Sequence, residues 1–160
     1  MFHVESYDQT REKNYELVAK QLKALLEDEP NRIANLSNAS ALLYQFMENV
    51  NWVGFYLPDS DQELVLGPFQ GLPACVRIGF GKGVCGTAAK EHKTIRVRDV
   101  NEFPGHIACD SASNSEIVVP LMKDNEFLGL LDIDSPTKDR FDETDQQGLE
   151  QFVRELVNHI

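Results

Sequence analysis

No stretch of the chain approaches the roughly 18 consecutive apolar residues that a membrane span needs. Residues Met1 to Arg11 are polar and lack the basic start and apolar run of a secretory signal, so the expected location is cytoplasmic. Basic residues are scarce, with 15 Lys and Arg against 26 Asp and Glu and a formal net charge of −11. That balance repels phosphate backbones and anionic membrane surfaces, and it argues against nucleic-acid and membrane partners. The chain has only three cysteines, Cys75, Cys85 and Cys109, which cannot all pair with one another and are expected as thiols in a reducing compartment. None lies within a C-x(2–4)-C pair, so the H-x-x-C spacing of His106 and Cys109 does not make a structural zinc site, and no metal is expected. The glycine-rich Gly79–Cys85 run (GFGKGVC) places Gly83 rather than Ser or Thr after Lys82, which excludes a phosphate loop. Repeats, low-complexity tracts and Pro/Gly/Ser-rich linkers are absent as well. The 160 residues are therefore read as one domain, 1–160, large enough for a proper core.

Regular elements are legible from periodicity. Leu17, Val18, Leu22, Leu25 and Leu26 fall at helical spacing, and a second helix after Pro30 has Ile33, Leu36, Leu43 and Met47 on its buried side with Asn31 as cap. Asn51–Leu57 (NWVGFYL) is rich in strand formers. Pro58-Asp59-Ser60-Asp61 supplies a turn before Glu63–Leu66. Ala74–Ile78 and Thr94–Val97 read as short strands flanking a short helix, Val84–Glu91, and Val100–Asn114 reads as a long loop, the kind of segment that is often functional. Glu116–Met122 and Phe127–Ile133 are apolar on both faces, as central strands are, and join in a hairpin at Lys123–Glu126. A last helix capped by Asp142 carries a stripe of Leu149, Phe152, Val153, Leu156 and Val157. Helices at both ends of a hairpin-rich sheet give an α+β architecture.

Chemistry concentrates in two sets of residues. Cys85 follows Gly81-Lys82-Gly83 at a helix start, where backbone N–H groups and a lysine favour thiolate; Cys109 sits in the long loop between His106 and Asp110, exposed enough to react. Either thiol can equally be a small buried hydrophobe. Asp132 and Asp134 stand two apart on a strand and share a face. The expected connection is a three-residue loop that pairs Lys123 with Phe127, with Asn125 left-handed, and puts Glu116 opposite Asp134 on that face; a two-residue loop would turn it away. Three crowded carboxyls cannot all ionise freely, so they form either a proton reservoir or a receptor for a cation. The plainer alternative is that the aspartates simply end the strand at the surface. Trp52 and Tyr56, four apart on one face, are either core or the wall of an apolar pocket.

Taken in order, Asn51-Trp52-Val53-Gly54-Phe55-Tyr56, Gln70-Gly71-Leu72-Pro73-Ala74-Cys75, Gly83-Val84-Cys85-Gly86-Thr87-Ala88, His106-Ile107-Ala108-Cys109-Asp110, Ser115-Glu116-Ile117-Val118-Val119-Pro120 and Leu131-Asp132-Ile133-Asp134-Ser135 resemble the free methionine-(R)-sulfoxide reductases, a family of stand-alone GAF domains. The resemblance implies a mostly antiparallel sheet with the N- and C-terminal helices on one face. It implies reduction of free L-methionine (R)-sulfoxide by a cysteine that becomes a sulfenic acid, a disulfide formed with a second cysteine, and thioredoxin as external reductant with no bound cofactor. It casts Cys109 as nucleophile, Cys75 as main resolving thiol and Cys85 as alternative resolver or relay. Glu116, Asp132 and Asp134 become site carboxyls that protonate the leaving oxygen or hold the substrate ammonium, with Trp52 and Tyr56 flanking the apolar end. A homodimer through the terminal helices is compatible with it. The rival reading is a GAF module that senses a small ligand without catalysis; since helices of the domain itself occupy both termini, no output element is expected.

Overall fold

The structure, a computed structural model, describes residues 1–106 and 110–160. Thr10 opens helix α1 (Arg11–Leu26) by accepting from the Lys13 N–H, and Asn31 opens α2 (Arg32–Phe46) by accepting from the Ala34 N–H. In α2 the buried stripe is Leu36, Ala39, Leu43 and the capping Met47, but Ile33 is 68% exposed. It belongs to the first turn and lies at the margin of the stripe, so the spacing that marked it as inward-facing did not bring it under the sheet.

The chain then lays down β1 (Trp52–Pro58), β2 (Glu63–Gln70), β3 (Arg77–Gly79), helix α3 (Gly83–Glu91) and β4 (Ile95–Val97), with β5 (Ser115–Lys123), β6 (Glu126–Ser135) and helix α4 (Glu143–Leu156) following. Strand β3 is shorter than the expected Ala74–Ile78: the Cys75 carbonyl accepts from the Tyr56 hydroxyl, and Val76 keeps a single backbone bond to β2, its carbonyl accepting from the Leu66 N–H at 2.9 Å. The six strands form an antiparallel sheet in the order β3-β2-β1-β6-β5-β4. On one face Val53, Phe55, Ile117, Val119, Leu131 and Ile133 pack with α1, α2 and α4. Each such side chain, fully withdrawn from water, contributes about 1.5–3 kcal/mol. On the other face Trp52, Tyr56, Val118 and Leu130 meet α3.

The β5–β6 hairpin reaches the expected register by an unexpected route. Its turn has two residues, Asp124 and Asn125, both left-handed at φ 53° and 64°, and Lys123 pairs with Glu126. A two-residue turn alone would point Glu116 away from Asp134. However, the ladder slips between Leu121 and Met122, so that Phe127 faces Met122, Gly129 faces Leu121 and Leu128 is left unpaired. This bulge re-phases the strand, and Glu116 lands opposite Asp134 after all. Gly129, at φ 143°, suits the bulge, since a Cβ there would lie 2.7 Å from the Tyr56 carbonyl oxygen.

Candidate active site

Register builds the site. Across β1 and β6, Trp52 faces Asp134, Gly54 faces Asp132 and Tyr56 faces Leu130, while Glu116 on β5 faces Asp134 from the other side. Cross-strand partners share a face, so two aromatics and three carboxyl groups are gathered on the α3 side of the sheet. Gly54 makes this possible, because any Cβ there would lie 2.5 Å from the indole of Trp52. Trp52 and Tyr56 stack with centroids 6.0 Å apart, and Trp52 also stacks on Phe69 at 5.2 Å. Both rings are core and wall at once: each is at most 3% exposed, yet each borders a cavity that opens to solvent.

Glu116, Asp132 and Asp134 form the polar floor of that cavity, with Cys85 beside them and His106, Asp110 and Ser113 along its edge. One oxygen each from Glu116 and Asp132 and the Cys85 Sγ lie within 4.8 Å of one another. Burial pushes all three carboxyls above their ordinary range, and furthest for Glu116 and Asp134, where the neighbouring Asp132 adds to the effect. Asp132 rises less, because hydrogen bonds from Glu116 and Cys85 favour its ionised form. Even so its Oδ1 is buried with no hydrogen-bond partner among the described residues. The cluster therefore favours its protons and leaves one acceptor open; Asp132 is buried within the strand, and Asp134 is half-buried one residue before the strand's end. Glu116, Asp132 and Cys85 are also the donor set a metal ion would use, although three groups that all favour their protons release them reluctantly to a cation.

The cysteines fare differently. Cys85 lies in the first turn of α3 but is 5% exposed. Burial and the carboxyls push its thiol well up, opposite to the thiolate expected from the helix start and Lys82. The desolvation and the carboxyl charges outweigh a single helix terminus. Cys75 is half-buried and disulfide-bonded. Its segment is fastened to the wall: the Tyr56 hydroxyl donates to the Cys75 carbonyl at 2.8 Å, and the Trp52 indole N–H donates to the Leu72 carbonyl at 3.0 Å. Burial pushes the Tyr56 hydroxyl far above its ordinary value, so it remains a donor. Cys109, expected as the nucleophile, lies outside the described residues.

Several participants escaped the sequence reading. Asn51 donates to Asp110 Oδ2 at 3.0 Å and to Ser113 Oγ at 3.2 Å, and the Ser113 side chain in turn bonds the Asp134 carboxyl. His106 borders the cavity, with burial holding its imidazole below the ordinary value. Asn51 opened the quoted Asn51–Tyr56 motif, but its partners are about 60 residues away in sequence, and no local pattern reports such a contact.

The GAF domain model matches residues 24–160. Protein YtsP of Bacillus subtilis is 60% identical over 98% of this chain and 96% of its own length. The free methionine-R-sulfoxide reductase of Escherichia coli is 53% identical over 86% of this chain and 82% of its own. Among solved structures, the free methionine-R-sulfoxide reductase of Neisseria meningitidis in complex with its substrate superposes with a TM-score of 0.94 at 43% identity, covering 99% of this chain and 95% of that one.

Proposed function

Because the chain belongs to the free methionine-R-sulfoxide reductase family of GAF domains, we propose that it reduces free L-methionine (R)-sulfoxide to L-methionine at the acid-floored cavity. The observation that carries this reading is the buried carboxyl cluster facing an aromatic wall. A sulfoxide oxygen is a poor leaving group until it is protonated, and Glu116 and Asp134, both pushed well above the ordinary carboxyl range, hold their protons more firmly than ordinary carboxyls and are placed to supply one. The open Asp132 Oδ1 is an acceptor for the protonated oxygen. Trp52 and Tyr56 flank the thioether end.

In the proposed cycle the Cys109 thiol attacks the sulfoxide sulfur. The oxygen passes to Cys109 as a sulfenic acid and methionine leaves. The Cys75 thiol then condenses with the sulfenic acid, releasing water and forming a disulfide. The disulfide-bonded state of Cys75 and the free thiol of Cys85 support this pair. A thioredoxin dithiol then reduces the bond, taking the place of any bound cofactor. Cys75 is half-buried between the exposed Leu72 and Val76, which suits attack from outside. Thioredoxin dependence would place the enzyme in a reducing cytosol, and the described helices include none long and apolar enough to cross a membrane.

Turnover on resolved sulfoxide isomers, coupled to NADPH through thioredoxin and thioredoxin reductase, tests the proposal. The free R isomer is expected to be reduced, with little activity on the S isomer or on a blocked peptide. Cys109→Ser should release no methionine; normal activity in that variant removes Cys109 from the role.

A further inference from the structure

We infer that Asn51 is a positioning residue for this reaction, clamping the 110–113 segment against the acidic cluster; the inference rests on the reading of the site as a reductase. Asn51 stands immediately before β1, and its backbone N–H donates to the Asp134 carbonyl at 2.9 Å, which ties it to the strand that carries the cluster. Its side-chain amide reaches the other way. The two protons on Nδ2 go to Asp110 Oδ2 and Ser113 Oγ. Asp110 is already shaped to receive one: its Oδ1 accepts from the Ala112 N–H at 2.8 Å and its carbonyl accepts from the Ser113 N–H at 3.2 Å. Residues 110–113 are thus a tight turn whose only side-chain hydrogen bonds to the β1 segment, among the described residues, come from this one amide.

The turn does two things at the cavity. Asp110 follows Cys109 directly in the sequence, so fixing Asp110 fixes the chain one residue from the proposed nucleophile. Asp110 and Ser113 also border the cavity themselves, and they act on Asp134 in opposite senses: the charge of Asp110 helps it keep its proton, whereas the Ser113 hydrogen bond favours its ionised form. Asn51 therefore connects the turn that follows the proposed nucleophile in sequence with the strand that carries the acidic cluster. A displacement of about 1 Å between reacting groups can cost on the order of 100-fold in rate, so a clamp of this kind is read in the chemical step rather than in substrate binding.

Single-turnover release of methionine at saturating sulfoxide, with no reductant present, isolates that step. Asn51→Ala is expected to slow it about tenfold while leaving the KM for sulfoxide within about twofold. Asn51→Asp, which sets a carboxylate against Asp110, should slow it further. The exchange N51D/D110N restores an amide–carboxylate contact with donor and acceptor reversed, and should recover most of the rate lost in N51D. A wild-type rate in Asn51→Ala, or a double variant no faster than N51D, overturns the inference. If the Asn51 variants do not fold, Ser113→Ala carries the test: it removes one acceptor of the clamp, and a wild-type rate and pH profile in it overturn the inference equally. A wild-type protein that releases no methionine would instead sink the functional reading, which keeps the two failures apart.

Discussion

Two sets of buried carboxyl groups sit at opposite ends of the logic of this molecule. Asp145, in the first turn of α4, is 2% exposed and fully answered: it accepts from the Tyr15 hydroxyl at 2.7 Å, from Arg140 Nη1 at 3.3 Å and from the Asp142 backbone N–H at 3.0 Å. With Asp142 it completes a reciprocal capping box, and Arg11 pairs with both aspartates. Asp132, at 5% exposed, is nearly as buried, yet its neighbours are two more carboxyls and a thiol, and one of its oxygens has no partner among the described residues. The same side chain, equally withdrawn from water, is a structural rivet in one place and a poised acid in the other. The difference lies in who faces it. Arginines and N–H and O–H donors occupy the oxygens of Asp145, whereas burial pushes Asp132 towards its protonated form.

Breaking each cluster should therefore give opposite phenotypes. Asp145→Ala strands Arg140 and the buried Tyr15 hydroxyl, and should cost about 3 kcal/mol of stability in urea denaturation while leaving kcat per folded molecule unchanged. A large loss of kcat in that variant would erase the distinction. Asp134→Asn should do the reverse, slowing methionine release roughly 100-fold with a wild-type or higher Tm; an unchanged pH–rate profile would point to ammonium recognition instead. The smallest effect lies in the pH dependence of stability. Glu116, Asp132 and Asp134 have folded pKa values above their unfolded ones, so the native state binds more protons and stability falls as pH rises from the ordinary carboxyl range through the raised values. Glu116→Gln should flatten that fall, gaining roughly 1 kcal/mol at pH 8 and little near pH 4. Arg11 holds Asp142 below its ordinary value, so that carboxyl works with the opposite sign, and its contribution is lost as pH drops.

Much of the scaffold was legible in the residues alone. Side chains at helical spacing marked α1 and α4, Asn31 and Asp142 marked the starts of α2 and α4, and the strand formers of Asn51–Leu57 marked β1, because these signals depend on neighbours within a few residues. Cys85 misled for the same reason: the helix start and Lys82 are local, whereas the carboxyls that push its thiol up arrive from β5 and β6. Ile33 misled because periodicity fixes a helix's apolar stripe but not where the stripe's edge meets the sheet.

The hairpin shows the boundary between the two kinds of information most clearly. Alternation along a strand already required Asp132 and Asp134 to share a face, and the residues Lys123–Glu126 marked a hairpin, though not whether its loop holds two residues or three. Whether Glu116 would join them hung on one bulge at Leu128. Sequence determined the face of each carboxyl pair, since side-chain alternation is a property of a single strand. Only the tertiary structure decided the meeting of Glu116 with Asp134, the burial that keeps their protons, and the reach of Asn51 to Asp110. Register, desolvation and contacts between distant segments exist only once separate stretches of chain have packed together.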